Sequence, residues 1–268
     1  MLHAFPTPSS SALEIGPLTI HYYALCIIAG VALAIWLGDK RFRAAEPRGA
    51  HVVSEVAIFA VPAGVIGGRL YHVITSPSAY FGSNGNPVNI FKIWEGGLGI
   101  WGAISLGFLG AFVRYRMLQK KLALPSFKVF ADALAPGIIL AQAIGRFGNW
   151  FNGELFGKPL KAWWALDIPL QYRPNGYTQF ESFHPTFLYE AMWCTAVAVV
   201  LIILGNKWKP GQVFSAYVFA YCVGRFFIES IRIDEAHTIA GLRVNVWVSV
   251  IIAICSLAYF ARASKNQR

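Results

Sequence analysis

The amino-acid sequence predicts an all-α integral membrane protein with about seven transmembrane helices. Of its 268 residues, 56% are hydrophobic and only 13% are charged, whereas an ordinary soluble domain has roughly 25% charged residues. Apolar stretches long enough to cross a bilayer recur along the chain, and no polar, low-complexity linker separates them. Residues 1–268 are therefore expected to form a single polytopic membrane domain.

A helix that rises about 1.5 Å per residue needs about 20 apolar residues to cross the hydrocarbon core. Seven stretches come close to this length: 19–37, 52–74, 97–115, 129–147, 186–204, 212–230 and 244–262. Pro62 and Pro136 lie inside two of them, which membrane helices tolerate because neighbouring groups satisfy the freed carbonyls.

The Lys and Arg residues predict the orientation of these spans. Counted over alternate connections, fourteen of the 23 lie on one side, six lie on the other, and three lie inside spans. Basic residues are enriched in cytoplasmic connections, so the N-terminus is expected outside and the C-terminus in the cytoplasm. The segment before Thr19 contains no Lys or Arg, so we expect no cleaved signal peptide and a retained first helix.

Composition argues against two other classes of protein. The cysteines lie in apolar runs and predict neither a disulfide framework nor a metal site. They are Cys26, Cys194, Cys222 and Cys255. Bilayer topology explains the net charge of +10, and no basic stripe with interleaved aromatics predicts a nucleic-acid interface. We expect no metal, no cofactor and no nucleic-acid partner.

With this orientation, polar side chains gather at the outer ends of the predicted helices. A charge inside a span costs at least about 2.5 kcal/mol, so the intraspan arginines Arg69, Arg146 and Arg225 are expected to face a cavity or a partner. Their neighbours at the outer ends are His21, Tyr22, Tyr23, Tyr71, His72, Glu95, Gly97, His184, Tyr189, Glu190 and Glu229. Purely structural ion pairs, such as Arg225 with Glu229, are the alternative interpretation. Glu55 and Asp132, near inner ends, can reach the cytoplasmic headgroups and need no special explanation.

The longest outward connection, 148–185, lies between the fourth and fifth predicted spans. It is rich in Trp, Tyr and Phe, which favour the membrane–water interface. We expect it to form a small extracytoplasmic cap on the headgroups, and the 75–95 connection to lie along the same interface.

Three familiar functional motifs give no support to other activities. Gly97, Gly99 and Gly102 match GxGxxG, but they open an apolar span with no preceding strand, so the match is accidental. There is no GxSxG elbow and no pair of histidines at zinc-ligand spacing.

The most specific segment is the run GRFGNWFNGELFG, residues 145–157. It places Arg146, Asn149, Asn152 and Glu154 among four glycines at the exit of the fourth predicted span. A guanidinium clamps a phosphate bidentately, asparagines donate to ester or phosphoryl oxygens, and glycines let the backbone approach a ligand. Glycines that merely turn a helix end are the alternative.

This run resembles the signature of the prolipoprotein diacylglyceryl transferases. Four further segments are similar to motifs of that family, in the same order: 21–25 (HYYAL), 94–98 (WEGGL), 184–190 (HPTFLYE) and 224–229 (GRFFIE). The likeness therefore extends along most of the chain.

The resemblance implies transfer of the diacylglyceryl group of phosphatidylglycerol to the lipobox cysteine thiol of a prolipoprotein, at the outer face of a bacterial plasma membrane. The products are a thioether and glycerol phosphate. Carried over by the resemblance, Arg146 and Arg225 are essential, Tyr23, Asn149, Glu154 and Glu229 shape the site, and Gly157 holds the backbone. From their positions, Arg69, Gly97 and Asn152 are added as substrate-binding residues. One departure stands out, because Trp101 occupies the place where the family commonly has a histidine.

Two questions stay open from the sequence. The thiol proton could be lost in the field of the arginines or taken by His72, His184 or Glu154. A small-anion transporter or channel built on the outer arginines is the main rival function, and a scaffold that binds a partner through its cap is a second. Transporters favour midplane sites and repeated halves, neither of which is seen here.

Overall fold

The computed structural model describes residues 5–16, 18–83 and 85–265, without the side chains of Leu18 and Glu95. The α-helices are α1 (Tyr22–Ala45), α2 (Val52–Thr75), α3 (Ser78–Phe81), α4 (Ile100–Leu122), α5 (Phe127–Asn152), α6 (Thr186–Leu204), α7 (Gln212–Ile231) and α8 (Val244–Lys265). Short 3₁₀ helices cover Pro47–Gly49, Pro87–Phe91, Ile93–Glu95, Leu170–Tyr172 and Gly205–Lys207. The strands are β1 (Phe5–Pro6), β2 (Ala12–Ile15), β3 (Leu18–His21), β4 (Leu166–Asp167), β5 (Ser182–Phe183), β6 (Thr238–Ile239) and β7 (Leu242–Arg243).

Each predicted span corresponds to one long helix. Within the described residues, six of these helices are long and apolar enough to cross a membrane, and α4 falls outside that set. The second half of α4 carries Arg114, Arg116, Lys120 and Lys121, which shorten its apolar stretch. The multi-pass membrane class is thus confirmed, while α4 as a seventh span stays a prediction.

The N-terminal boundary differs from the prediction. His21 was expected to open the first helix, but it ends β3, which pairs with β2 in an antiparallel hairpin. A hairpin of four-residue strands gives a weaker sequence signal than the long apolar run that follows it. The fold therefore contains short strands that the all-α prediction omitted.

The chain divides into two compact units, residues 39–130 and residues 1–38 with 131–268. In the smaller unit, α2 and α4 pack with their backbones close together, because a Cβ at Gly67 would overlap the carbonyl oxygen of Gly102. Glu55 accepts a hydrogen bond from Arg114 at 2.6 Å rather than simply reaching towards headgroups.

In the larger unit, α7 packs against α6 and α8, and the core is built from small and aliphatic side chains of α5, α6 and α7. Asp132 has a role there that the sequence did not reveal. From α5 it accepts hydrogen bonds from the backbone N–H groups of Gly211 (2.5 Å) and Phe214 (2.8 Å). These N–H groups stand at the start of α7, so the carboxylate caps that helix.

The predicted cap is a folded segment. Because α5 continues to Asn152, the cap begins at residue 153 rather than 148. Its sheet has the order β1-β4-β5, so the N-terminal strand adds to it in parallel with β4. Its buried core consists of Phe156, Leu166, Ile168, Phe183 and Phe187.

Candidate active site

The turn after α5 joins the polar residues of the 145–157 segment into one hydrogen-bonded series. Arg146 donates to the side-chain oxygen of Asn149 at 3.2 Å. The side-chain amides of Asn149 and Asn152 both donate to Glu154, at 2.9 and 3.1 Å. The chain turns through Gly153 and Leu155, which have φ values of 62° and 58°. The four polar residues that the sequence singled out thus lie together.

Glu190, in the first turns of α6, bridges the two predicted essential arginines. One of its carboxylate oxygens lies 3.3 Å from Nε of Arg146, and the other lies 3.1 Å from Nη1 of Arg225. Glu190 is only 4% exposed. Three helices, α5, α6 and α7, therefore contribute one charged side chain each to a buried arginine–carboxylate–arginine bridge.

Side chains from two further segments contact the carboxylate of Glu229 on α7. It is 1% exposed and pairs with Arg225, one helical turn before it. Arg232 lies 3.2 Å from the same carboxylate oxygen, and Nε of Arg243 lies 3.3 Å from the other. Asn245 donates to Glu229 at 3.3 Å. A buried carboxylate needs such partners, since removing a charge from water is costly.

Asp234, in the connection between α7 and α8, is the third carboxylate bound by these arginines. Arg232 binds it bidentately, with both N–O distances 2.7 Å, and Arg243 donates to it at 2.8 Å. Burial acts to raise the pKa of Asp234, but the hydrogen bonds from Arg232 and the charges of both arginines outweigh it and hold the pKa below its ordinary value. Asp234 is therefore ionised at neutral pH.

We call the linked charged residues the charge cluster: Arg146, Arg225, Arg232 and Arg243 with Glu190, Glu229 and Asp234. It contains one more guanidinium than carboxylate. A small cavity opens beside it, lined by Arg146, Asn149, Leu155, Thr186, Phe187, Glu190 and Arg232. One bound monoanion would balance the charge of this cluster, and Arg146 and Asn149 are the side chains that could donate to it at the cavity.

Two glycines allow close approaches around this cluster. The amide of Gly157 donates to the carbonyl of His184 at 3.0 Å. A Cβ at Gly157 would lie 2.8 Å from Cβ of His184 and 3.0 Å from the carbonyl oxygen of Ile231. At Gly148, a Cβ would overlap the ring of Tyr23. Gly157 thus permits contact between the cap and the end of α7, and Tyr23 lies against α5 at Gly148.

His184 lies at the junction of the cap and α6. Its Nδ1 is 3.1 Å from the hydroxyl of Tyr189, which also accepts from the indole N–H of Trp164 at 3.2 Å. Burial, and then the charge of Lys158, lower the pKa of His184 below its ordinary value. The imidazole is therefore neutral at pH 7 and able to accept a proton.

The smaller unit contains Arg69, Gly97 and His72. Arg69 is 7% exposed and donates to five backbone carbonyls. The N–O distances are 2.8 Å to Ile90, 2.7 Å to Gly96, 3.0 Å to Gly97, 2.6 Å to Asn89 and 2.8 Å to Lys92. A guanidinium has five N–H donors, so those of Arg69 hold the 89–97 backbone.

Gly97 and His72 lie next to this guanidinium. Gly97 has a φ of 74°, and a Cβ there would lie 2.6 Å from both Arg69 and the ring of His72. With Tyr80 and Asn89, these three residues line an open cleft. Glu95, also singled out from the sequence, has a side chain outside the described part of the structure.

Sequence reasoning missed the central role of Glu190 and the participation of Arg232, Asp234, Arg243 and Asn245. Glu190 was noted only as a polar residue at a helix end. Arg232 and Arg243 were counted as basic residues of an outer connection. Their available signal was the spacing of Arg232, three residues after Glu229 on the same helical face. No comparable spacing pointed to Arg243 or Asn245.

Among the described residues, no group of three or more His, Cys, Asp or Glu side chains is arranged to hold a metal ion.

Comparison with known proteins gives consistent matches. The family model described as prolipoprotein diacylglyceryl transferase matches residues 10–262. The chain is 50% identical over 257 residues to phosphatidylglycerol–prolipoprotein diacylglyceryl transferase 2 of Streptomyces coelicolor, covering 94% of this chain and 78% of the relative. It is 48% identical over 262 residues to the phosphatidylglycerol–prolipoprotein diacylglyceryl transferase of Streptomyces griseus, covering 97% of this chain and 78% of the relative. It is 47% identical over 266 residues to the transferase of Paenarthrobacter aurescens, covering 95% of this chain and 82% of the relative.

Proposed function

The chain belongs to the prolipoprotein diacylglyceryl transferase family and is a transferase that acts on phosphatidylglycerol and prolipoproteins; we propose that the charge cluster is where the transfer takes place. The observation that carries this proposal is the bridge of Arg146 and Arg225 by buried Glu190. Arg146 and Glu190 line a small cavity together with Asn149 and Arg232, and Arg225 is held to the same carboxylate from α7.

The surplus of one positive charge matches the headgroup phosphate. A phosphodiester such as that of phosphatidylglycerol is a monoanion, so its binding makes the charge cluster neutral. Arg146 offers N–H groups to the cavity together with Asn149, which orients the guanidinium. Bidentate binding of phosphate by such a planar group supplies direction as well as charge.

The proposed reaction forms one bond and breaks one. The sulfur of the lipobox cysteine attacks the diacylglyceryl carbon that carries the phosphate, and the C–O bond to that phosphate breaks. The bonding electrons leave with the phosphate oxygen, giving glycerol phosphate, and the new C–S bond is a thioether. Negative charge grows on the phosphate during this step, and fixed cations in a poorly hydrated site stabilise it.

The thiol must lose its proton before or during attack. Adjacent cations lower the pKa of a thiol, so beside the charge cluster the thiol can release its proton to water without a base from the protein. His184 is neutral at pH 7 because burial and Lys158 lower its pKa, and His72 and Glu154 are the other candidate bases. General-base help is worth about 10²–10⁴-fold where it operates, so single replacements of these residues distinguish a base from the arginine field.

The function is tested by incubating the detergent-purified protein with phosphatidylglycerol and a peptide that contains a lipobox cysteine. We expect the peptide to gain the mass of a diacylglyceryl group, and glycerol phosphate to appear in equal amount. A transporter or a scaffold would bind these molecules without changing either mass. Absence of both products in a preparation with a cooperative melting transition would contradict the proposal.

We propose that the active site faces the outer side of a bacterial plasma membrane, with the N-terminus outside and the C-terminus inside. The asymmetry of Lys and Arg between alternate connections supports this. In a background without the native cysteines, cysteine at Ser83 should be labelled in intact cells by an impermeant reagent, and cysteine at Gln119 should not. Gln119 donates to the carbonyl of Pro125 at 2.6 Å, so the exposed Lys121 provides a second inner position. Labelling of the two inner positions, but not of position 83, would reverse the orientation.

Trp101, in the first turn of α4, is expected to be a packing residue. It is 42% exposed, and an indole offers one N–H donor, a large apolar face and no basic nitrogen. Trp101→Phe should keep a substantial fraction of transferase activity, measured with the peptide assay. A fall to the level of Arg146→Ala, with expression and melting temperature unchanged, would show that the indole has a chemical role.

A further inference from the structure

Arg243 belongs to the charge cluster but lies away from the groups that meet the substrate in the proposed reaction. It ends β7, just before α8, and its contacts are with Glu229 (3.3 Å), the carboxylate of Asp234 (2.8 Å) and the carbonyl of Asp234 (2.8 Å). It is absent from the residues that line the cavity beside Arg146. Its contribution is therefore not a direct hydrogen bond to the phosphate.

The contribution of Arg243 becomes clear from the charges of its two partners. Glu229 is shared by Arg225, Arg232 and Arg243, and Asp234 is shared by Arg232 and Arg243. Without the charge of Arg243, three guanidiniums would face three carboxylates. The charge cluster would then be neutral before any substrate binds, and Glu229 would draw more strongly on Arg225.

We infer that Arg243 is a specificity-determining residue. It supplies the surplus positive charge of the charge cluster, and this surplus makes the site favour a lipid with an anionic phosphodiester headgroup. This rests on the proposed function and extends it. Arg243 acts through Glu229, so it is a positioning residue rather than a catalytic one. A monoanionic headgroup is attracted by this surplus, whereas a zwitterionic headgroup gains less because its ammonium offsets the phosphate charge.

The expected effect is large enough to measure. A unit charge about 10 Å from an anion, at an effective dielectric constant of about 20, changes binding by roughly tenfold. Arg243 and Asp234 have side chains that are 13% and 28% exposed, so salt screens their effect less than that of surface charges. The other nearby charged side chains, Glu154, Lys158 and Glu235, are exposed to solvent and weigh less.

Three variants vary the charge of the cluster in both directions. Arg243→Gln makes it neutral, Asp234→Asn raises it to two positive charges, and the double variant Asp234→Asn/Arg243→Gln restores one. For each we would measure kcat and KM for phosphatidylglycerol, the inhibition constant of glycerol phosphate, and the melting temperature. Inhibition by phosphatidylethanolamine serves as the zwitterionic control.

The KM should rise about tenfold in Arg243→Gln, fall in Asp234→Asn, and return to within about threefold of the wild type in the double variant. The inhibition constant of glycerol phosphate should follow the same order with a larger spread, because a phosphomonoester carries up to two negative charges. Inhibition by phosphatidylethanolamine should change less than twofold across the series.

A purely structural role for Arg243 predicts a different order. Both single variants would then lose activity and thermal stability, with no fall of KM in Asp234→Asn. That pattern would overturn the inference. If Arg243→Gln fails to fold, the sign of the KM change in Asp234→Asn still decides the question. The wild-type assay separates this outcome from failure of the proposed function, since it reports transfer without any variant.

Discussion

Arg146→Lys is expected to lose at least about 10²-fold in transferase activity although the positive charge remains. The guanidinium of Arg146 contacts Glu190 through Nε at 3.3 Å and Asn149 through Nη1 at 3.2 Å, and it lines the cavity at the same time. A lysine ammonium is a compact charge without this planar fork. It cannot hold both partners and still offer two parallel donors to a phosphate, and misplacement by about 1 Å costs about 10² in rate.

Arg173→Lys is the matched control for this variant. Arg173 is also an arginine of the larger unit, but it donates to backbone carbonyls within the cap, to Ile168 at 2.7 Å and Thr178 at 3.1 Å. It should keep near-normal turnover in the peptide assay. Near-normal turnover in Arg146→Lys as well, with an unchanged melting temperature, would rule out bidentate phosphate recognition by Arg146.

The helices were predictable because each corresponds to a local run of apolar residues. A run of about 20 apolar residues has few structural alternatives in a bilayer, so the predicted spans match the seven long helices to within a few residues at most ends. The largest boundary differences are at the C-terminal ends of α1 and α4, which continue past the apolar runs through charged residues to Ala45 and Leu122. The short strands were not predicted at all. The strands of the β2–β3 hairpin are only four residues long, which is too short for a clear pattern. Strand β1 pairs with β4 far away in the chain, and no local pattern indicates that pairing.

The site was predictable only in part, for a similar reason. The Arg146 to Glu154 series lies within nine consecutive residues, and its hydrogen bonds follow from one turn of the chain. Arg146 also pairs with Glu190, which in turn pairs with Arg225. These residues are dozens of positions apart, and the sequence alone does not indicate that they meet.

Arg69 illustrates the opposite case. Because Arg69 lies inside a predicted span, the sequence predicts that it binds an anion. In the structure, backbone carbonyls accept hydrogen bonds from its five donors. A substrate-binding role for Arg69 therefore stays a prediction, while holding the 89–97 backbone is what its contacts support.

Glu190→Gln should separate substrate binding from chemistry more clearly than any other single change. One carboxylate oxygen of Glu190 lies 3.3 Å from both Arg146 and Arg225, and the other lies 3.1 Å from Arg225. A glutamine would replace one of these two acceptors with an NH₂ donor that faces a guanidinium. The two arginines would no longer share a fixed geometry, so kcat should fall by about 10²-fold or more. The charge cluster would also gain a positive charge, so KM for phosphatidylglycerol should stay level or fall.

Breaking this bridge should also lower stability, because a buried ion pair that loses one partner typically costs 3–5 kcal/mol, and Glu190 is 4% exposed. Glu181→Gln, the same substitution at an exposed cap residue, is the control and should leave kcat, KM and melting temperature close to the wild type. Kinetics with varied phosphatidylglycerol and a thermal melt in detergent measure all three quantities. A Glu190→Gln enzyme with wild-type kcat would mean that Arg146 and Arg225 act independently and that the bridge is not part of the catalytic geometry.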